Sequence, residues 1–234
     1  MKCAIIQPSY IPWKGYFHQI EKADVFIFYD DVQYDKHGWR NRNRIKTHQG
    51  VTWLTIPVHS AGVVVEHTPI NQVEIDWHRP WQKKHLSAMQ QAYSKAPFFT
   101  QYRDLLYYFY HDLHPLLLAD YTIELTLLLC KELGIKNTTF MRSSDIIAEG
   151  HKTERIIRIL TQLGVTDYIS GPSAKNYIEE ELFNIEGITF EYMTYQYPEY
   201  TQLYPPFEAQ VSIIDLLLMT GPDALSYVRG EEDE

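Results

Sequence analysis

The chain begins with a pattern that predicts a strand, a turn, a helix and a second strand. Residues 3–6 are a continuous apolar run, which is typical of a strand buried on both faces of a parallel sheet. Residues 7–12 contain two prolines, so regular helix is excluded there and a turn is expected. A short helix is expected over residues 13–23, followed by a second buried strand over residues 25–29. A strand, helix and strand of this length predict a right-handed crossover unit.

The middle of the chain combines β-rich segments with helical spacing. Residues 51–58 and residues 70–75 favour β structure and are predicted to pair as a hairpin. Apolar residues at helical spacing then predict a series of helices. These helices cover residues 80–93, 102–111 and 115–133, and they belong to a helical insertion at residues 77–136.

The last third of the chain returns to an alternation of strands and helices. Strands are expected at residues 138–142, 167–170 and 188–193, and helices at residues 153–163, 174–183 and 211–219. Such alternation is typical of α/β proteins with a mostly parallel sheet. We therefore predict a single α/β domain over residues 1–234, built on a Rossmann-like sheet.

Composition and charge exclude several classes of protein. The formal net charge of −9 argues against a general nucleic-acid binder, because such a protein presents a cationic face to phosphates. The most apolar long segment, residues 113–133, carries four charged side chains, so no membrane span is expected. No secretory signal is recognised at the N-terminus, and Cys3 and Cys130 are too few for a disulfide framework. A cytoplasmic location is therefore expected.

Polar side chains lie at the ends of predicted strands, where parallel sheets bind their ligands. In the first such segment, residues 7–16, Gln7 can donate and accept hydrogen bonds beside a helix entrance whose amides favour an anion. The aromatic rings of this segment belong to Tyr10, Trp13 and Tyr16. A packing corner of proline and tryptophan is the alternative interpretation. Another segment, residues 170–173, resembles an anion-binding turn at Ser170, and a helix N-cap explains it equally well.

The segment over residues 30–46 combines two carboxylates with a dense basic stretch. Asp30 and Asp31 could hold a hydrated Mg²⁺, act as a general base or cap a turn. Four cations lie within the seven residues from Arg40 to Lys46, and arginine can bind a phosphate through paired hydrogen bonds. A solvated basic surface is the alternative interpretation. The candidate substrate ligands of this loop are Gln33, Asn41, Arg42, Asn43 and Lys46.

Common catalytic motifs are not found in the sequence. The ten histidines show no HExxH spacing, and the chain has no GxSxG elbow, GxGxxG loop or P-loop motif, which disfavours ordinary dinucleotide binding. Aromatic content is high, with 18 tyrosines and 5 tryptophans. Core packing explains these rings, while a stacking pocket for sugar or base and the interface of a homodimer are alternatives.

Several motifs together resemble the WbqC-like protein family. They lie at residues 6–17, 31–34, 39–46, 53–58, 95–99, 168–171 and 212–217, so the resemblance covers almost the whole chain. Members of this family occur in bacterial gene clusters for O-antigen and surface polysaccharides. The family has been suggested to include a glycine transferase that acts on an amino sugar. Arg40 departs from the family pattern, which more often has glutamine at this position.

The resemblance implies a transferase that joins an activated amino acid to the amine of a nucleotide-linked amino sugar. Its substrates would be a nucleotide sugar and an activated amino acid such as glycine. In this interpretation the region of Arg42 and Lys46 binds phosphate, and the rings of the first segment stack on sugar or base. Asp30 or Asp31 would remove a proton from the attacking amine.

The layout of the first segment is also distantly similar to that of pantothenate-synthetase-like nucleotidyltransferases. Those enzymes carry an HxGH element after the first strand, and here Trp13 and Tyr16 occupy the two histidine positions. Stabilisation of a phosphate by imidazole would therefore be lost. Two alternatives follow: a nucleotidyl or adenylating transferase, and a non-catalytic protein that binds sugar nucleotides or assembles partners.

Overall fold

The fold alternates strands and helices along the chain. The structure, a computed structural model, describes residues 1–59, 67–176 and 178–230. The strands in these ranges are β1 (Lys2–Ile6), β2 (Val25–Phe28), β3 (Arg42–Thr47), β4 (Gly50–Thr55), β5 (Thr139–Arg142), β6 (Asp167–Ser170) and β7 (Thr189–Tyr192). The α-helices are α1 (Lys14–Lys22), α2 (Trp81–Tyr93), α3 (Phe99–Tyr107), α4 (Leu118–Leu133), α5 (Lys152–Gln162), α6 (Glu180–Ile185), α7 (Ile213–Thr220) and α8 (Ala224–Arg229).

A parallel sheet forms the centre of the described part of the molecule. Its five strands lie in the order β5-β2-β1-β6-β7, and each neighbouring pair is parallel. From β1 the chain proceeds outward through β2 to β5, and then returns to place β6 on the other side of β1. The carboxyl ends of β1 and β6 therefore form the switch point at which Rossmann-like sheets bind ligands. The predicted α/β, Rossmann-like fold is confirmed.

Both faces of the sheet are covered, which explains the continuous apolar runs of the first two strands. Ala4 and Phe26 point into one hydrophobic core, together with residues of α1, α4 and α7. Cys3 and Ile27 point into a second core, together with residues of α5 and α6. Successive side chains of a strand face opposite sides, so a strand between two cores must be apolar at every position.

The predicted hairpin between residues 51–58 and 70–75 is wrong. Residues 50–55 pair instead with β3, in an antiparallel hairpin that matches Arg44 with Trp53. Between the predicted partners, Val58 and Ile75 form an isolated bridge. The basic stretch from Arg40 to Lys46 is predicted as a loop because of its charges. From Arg42 onward it nevertheless forms strand β3, since Ile45 is buried in the core opposite the face that carries Arg44.

Most predicted helices are present, with two changes. The helix predicted over residues 102–111 is α3, followed by a π-helical turn at Tyr108–Asp112. The helix predicted over residues 174–183 is replaced by a 3-10 turn at Pro172–Asn176 and by the short helix α6, and Tyr177 lies outside the described residues. Within the ranges that the structure describes, we find no helix with the length and apolar character needed to cross a bilayer.

Candidate functional site

A cavity of about 750 Å³ opens at the carboxyl ends of β1 and β6. This volume is within the range of small-molecule sites. Ile6 and Gln7 reach it from the end of β1, and residues 170–173 reach it from the end of β6. The entrance of α1 adds Trp13, and strand β3 adds Arg44 from the opposite side. The cavity therefore occupies the switch point of the sheet.

The cavity wall is cationic. Arg40 and Arg44 line it, and the described lining residues include no carboxylate and no histidine. Arg40 Nη1 donates a hydrogen bond to the carbonyl of Gln7 at 3.3 Å, and Arg44 Nη2 donates to the carbonyl of Gln210 at 2.6 Å. The Nε atom of each arginine is buried without a hydrogen-bond partner. The two guanidinium groups give this part of the wall a positive charge, which suits an anionic ligand such as phosphate.

Aromatic rings form another part of the wall. Trp13 meets Tyr195 edge to face, with ring centroids 4.9 Å apart. The hydroxyl of Tyr195 accepts a hydrogen bond from Gln19 Nε2 at 2.5 Å, while Gln19 Oε1 is buried and lacks a partner. Tyr16 donates to the carbonyl of Gln7 at 3.3 Å. Flat apolar rings beside unsatisfied amide groups suit a ligand with a base or sugar ring.

A glycine provides the space for the Trp13 ring. A Cβ atom on Gly15 would stand only 2.7 Å from Cε2 and Cη2 of Trp13, which is closer than real contacts allow. Gly15 lies in the first turn of α1, so the indole packs directly over the helix backbone. This close approach fixes the position of Trp13 in the cavity wall.

The segment between β7 and α7 anchors Tyr195. Tyr197 donates to or accepts from His18 Nδ1 at 3.0 Å, and its ring lies 4.7 Å from the ammonium of Lys14. Burial lowers the pKa of Lys14 to about 8. Further along, Tyr200 donates to the buried carboxylate of Asp215 at 2.7 Å. These contacts attach the segment to α1 and α7, and so hold Tyr195 against the cavity.

Five of the predicted site residues come together in the cavity. These residues are Gln7, Trp13, Tyr16, Asn43 and Ser170. Asn43 also ties β3 to the first loop, because its Nδ2 donates to the carbonyls of Tyr10 at 3.0 Å and Ile11 at 2.9 Å. The first loop, the end of β6 and the basic strand therefore meet at one cavity.

Other predicted substrate ligands lie outside the cavity wall. Tyr10 is fully buried, and its hydroxyl bonds to His85 Nδ1 at 2.9 Å and to the hydroxyl of Tyr110 at 2.6 Å, so it packs the core. Asn41 is buried and donates to the backbone at the end of the hairpin. Gln33 is exposed on the surface.

Arg42 and Lys46 are also placed outside the cavity wall. Arg42 donates to the carbonyls of His37 and Gly38, and its guanidinium lies 4.8 Å from the ring of Trp53. Lys46 is buried, and its ammonium donates to the carbonyl of Pro206. The cations that reach the cavity are instead Arg40 and Arg44, which alternate with the predicted ones along the same stretch.

Asp30 and Asp31 are not brought into the cavity wall. The carboxylate of Asp30 is fully buried and accepts hydrogen bonds from Ser144 N at 3.1 Å and Ser144 Oγ at 3.0 Å, and its Oδ1 lies 3.2 Å from Ser143 Oγ, whose one proton is donated to Asp31. These bonds connect the end of β2 to the turn after β5. A carboxylate with this many donors, shielded from solvent, joins two strands and is a poor choice for a proton acceptor.

Asp31 forms a bidentate ion pair with Arg155. Its Oδ1 accepts from Arg155 Nη1 at 3.0 Å and from Ser143 Oγ at 2.6 Å, and its Oδ2 accepts from Arg155 Nη2. Burial would raise the pKa of Asp31, but the bonds from Arg155 and Ser143 outweigh it and hold the pKa below its ordinary value.

Magnesium does not fit this pair of aspartates. Their oxygens are occupied by hydroxyl, amide and guanidinium donors, and a guanidinium repels a cation. Across residues 1–59, 67–176 and 178–230, no group of three or more histidine, cysteine or acidic side chains is arranged to hold a metal ion.

Replacing Asp31 by asparagine is expected to lower the free energy of unfolding by about 2 kcal/mol at pH 7, because Arg155 then lacks its anion. The lowered pKa means that the stabilisation is present above about pH 4 and is lost as the pH falls further. Urea denaturation at pH 7 and pH 3 checks this. The difference between wild type and variant should be smaller at pH 3 than at pH 7, whereas Asp104→Asn, at an exposed ion pair, should change stability by less than about 0.5 kcal/mol.

Sequence reasoning missed part of the site. Arg44 lies in the basic stretch but was not among the expected ligands. The alternation of side chains along a strand would have placed it on the same face as Arg42 and Lys46, which were expected ligands. Tyr195 and Gln19 carry no local signal, because they pair across 176 positions of the chain.

The fold and the cavity together define a class: an α/β protein with a cationic cavity at the switch point of a parallel sheet. The chain belongs to the WbqC-like protein family, which it matches over residues 7–227. This membership associates it with polysaccharide biosynthesis. It is also 41% identical to the uncharacterized protein Rv1507c of Mycobacterium tuberculosis over 236 residues, a match that covers 97% of each chain. No solved structure matches.

Proposed function

We propose that this protein is a transferase of bacterial surface-polysaccharide biosynthesis, which joins an activated amino acid such as glycine to the amine of a nucleotide-linked amino sugar. The observation that supports this most directly is the cavity at the ends of β1 and β6, which Arg40 and Arg44 line and whose described lining residues include no carboxylate to compete with a bound anion. Family membership supplies the link to polysaccharides.

In this proposal the phosphates of the nucleotide lie between the two arginines. A guanidinium binds phosphate oxygens through paired hydrogen bonds, which gives orientation as well as affinity. The hydroxyls of Ser170 and Ser173 offer further donors in the cavity wall. The rings of Trp13 and Tyr16 also line the cavity, and the indole provides a surface for the base.

The reaction forms an amide. The donor in this reaction is an aminoacyl phosphate or adenylate. The amine nitrogen of the sugar attacks its carbonyl carbon, the new C–N bond forms, and the bond from this carbon to the phosphate oxygen breaks. The amine gives up its proton to the departing phosphate, because the described lining residues contain no carboxylate and no imidazole to receive it. Catalysis would then depend on holding the reactants in place and on stabilising the negative charge of the leaving group.

A ligand screen tests the proposal. The melting temperature is measured with each ligand added at about 1 mM, which is about 100 times a dissociation constant of about 10 μM. The ligands are UDP, dTDP and GDP, their sugar nucleotides, ATP and glycine. A nucleotide bound with this affinity should stabilise the protein by about 2.7 kcal/mol, which is a shift of several degrees. Mass spectrometry of mixtures containing the amino sugar then identifies any amide. If no nucleotide shifts the melting temperature, the proposal fails.

A nucleotidyl or adenylating transferase is the second candidate, and the lack of a carboxylate or imidazole base among the described lining residues favours it. A carboxylate nucleophile is already deprotonated, so its attack on the α-phosphorus of ATP requires cations and orientation but no base. The new bond joins the carboxylate oxygen to phosphorus, and pyrophosphate leaves. Release of pyrophosphate that depends on an amino acid would establish this reaction, while binding without either product would indicate a non-catalytic sugar-nucleotide binding protein.

A further inference from the structure

An exposed surface of indole and guanidinium groups lies beside the cavity. It consists of Trp39, Arg42, Arg44 and Trp53, and we call it the hairpin ledge. Trp39 is 42% exposed and Trp53 is 46% exposed, which is unusual for such large apolar side chains. Their ring centroids are 5.2 Å apart with an interplanar angle of 32°.

The strand pairing produces this surface. Arg44 and Trp53 are direct partners across the β3–β4 hairpin, so their side chains stand on the same face. The guanidinium of Arg42 lies 4.8 Å from the ring of Trp53, and that of Arg44 lies 5.7 Å from it. The opposite face of the hairpin carries Ile45 and Leu54, which are buried. Core packing therefore accounts for one face of the hairpin and leaves the other unexplained.

The ledge is continuous with the cavity. Trp39 and Arg44 line the cavity and also belong to the ledge, whereas Arg42 and Trp53 lie outside the cavity wall. A ligand whose phosphates are held by Arg44 would therefore extend its outer end over the two indoles. The shared residues fix the direction in which such a ligand leaves the cavity.

We propose that the hairpin ledge is a subsite for the sugar ring of the nucleotide-linked substrate, with Trp53 as its outer stacking residue. The C–H groups on one side of a pyranose ring pack on an indole, while the hydroxyls at its edge accept hydrogen bonds from guanidinium groups. This inference rests on the proposed function, because the nucleotide anchors the sugar. The net charge of −9 argues against a nucleic acid as the occupant.

Titration calorimetry with matched pairs of ligands tests the subsite. The pairs are UDP with UDP-N-acetylglucosamine, dTDP with dTDP-glucose, and GDP with GDP-mannose. For at least one pair the wild-type protein should bind the sugar nucleotide about fivefold more tightly than the nucleotide alone. Trp53→Ala should remove this difference and change the affinity for the nucleotide alone by less than about twofold, because one aromatic stacking contact contributes about 1 kcal/mol.

Controls separate a sugar subsite from other roles of the ledge. Tyr107→Ala removes an equally exposed ring, 45% exposed and outside the cavity wall, and should leave all affinities unchanged. Trp53→Phe should retain part of the preference for the sugar nucleotide. If Trp53→Ala weakens nucleotide and sugar nucleotide equally, Trp53 supports the hairpin and the subsite is rejected.

Two further results would overturn the inference in different ways. If nucleotides bind but no pair shows a preference for the sugar nucleotide, the ledge has another occupant, such as a protein partner, and the proposed function of the cavity still stands. If no nucleotide in the panel binds, the proposed function fails and the subsite fails with it.

Discussion

Replacing Arg40 and Arg44 together by glutamine is expected to weaken the binding of a nucleoside diphosphate by about 100-fold. Each guanidinium would contribute a charge-assisted hydrogen bond of about 1.5 kcal/mol, and two such bonds correspond to roughly this factor. The effect should be large because Arg40 and Arg44 both line the cavity and the described lining residues include no other cation. Calorimetric titration with the nucleotide found in the ligand screen measures it.

Arg42→Gln provides the matched control for this experiment. It removes one positive charge, from the strand that also carries Arg44, but its side chain lies outside the cavity wall. For a nucleoside diphosphate with no sugar attached to its terminal phosphate, the affinity of this variant should stay within about twofold of wild type, which corresponds to less than about half a kcal/mol. Equal losses for Arg42→Gln and for the double variant would show that general charge, rather than the cavity, attracts the ligand. The assignment of the two arginines would then be rejected.

Gly15→Ala is expected to destabilise the protein by about 2 kcal/mol and to abolish the wild-type geometry of the cavity. The added methyl group would overlap the six-membered ring of Trp13, and the indole must move towards the cavity or the helix must shift. Alanine has a higher helix propensity than glycine, so helix formation by itself would favour the variant. A loss of stability in urea denaturation, together with weaker nucleotide binding, would therefore indicate the steric clash between the new methyl group and Trp13.

A second substitution makes this prediction specific. Trp13→Phe removes the ring atoms that the new methyl group would meet, so it should be less costly when Gly15 is alanine than in the wild-type background. The double variant should therefore be more stable than the sum of the two single changes predicts, with a coupling free energy of about 1 kcal/mol. Additive effects would mean that Trp13 and Gly15 do not share this space.

The sequence pattern predicted the central sheet well because each inner strand lies between two cores. That position requires apolar residues at every position, and the resulting run is visible without knowledge of partners. The hairpin was predicted with the wrong partner strand. The alternation of β3 is hard to recognise from the sequence, because one of its faces carries Arg42, Arg44 and Lys46. A segment with so many charged residues is predicted as a loop.

The candidate site was predicted in part, for a related reason. Gln7, Trp13 and Ser170 directly follow or adjoin strand ends, so the topology of a parallel sheet places them at one edge. Asp31 occupies an equivalent place at the end of the next strand, but it faces Arg155, which is 124 positions away in the chain. No local pattern shows that a carboxylate will be neutralised by a distant cation.

The amino-acid sequence by itself determined the parallel α/β architecture, the strand ends that carry polar side chains and the family. The tertiary structure alone decided which polar groups meet in the cavity, because that depends on partners far apart along the chain. Arg40 and Arg44 reach the cavity while Arg42, from the same stretch, stacks on Trp53 outside it. Local propensity fixes where a strand runs, whereas the free energy of packing and charge pairing fixes which of its side chains are left available for a ligand.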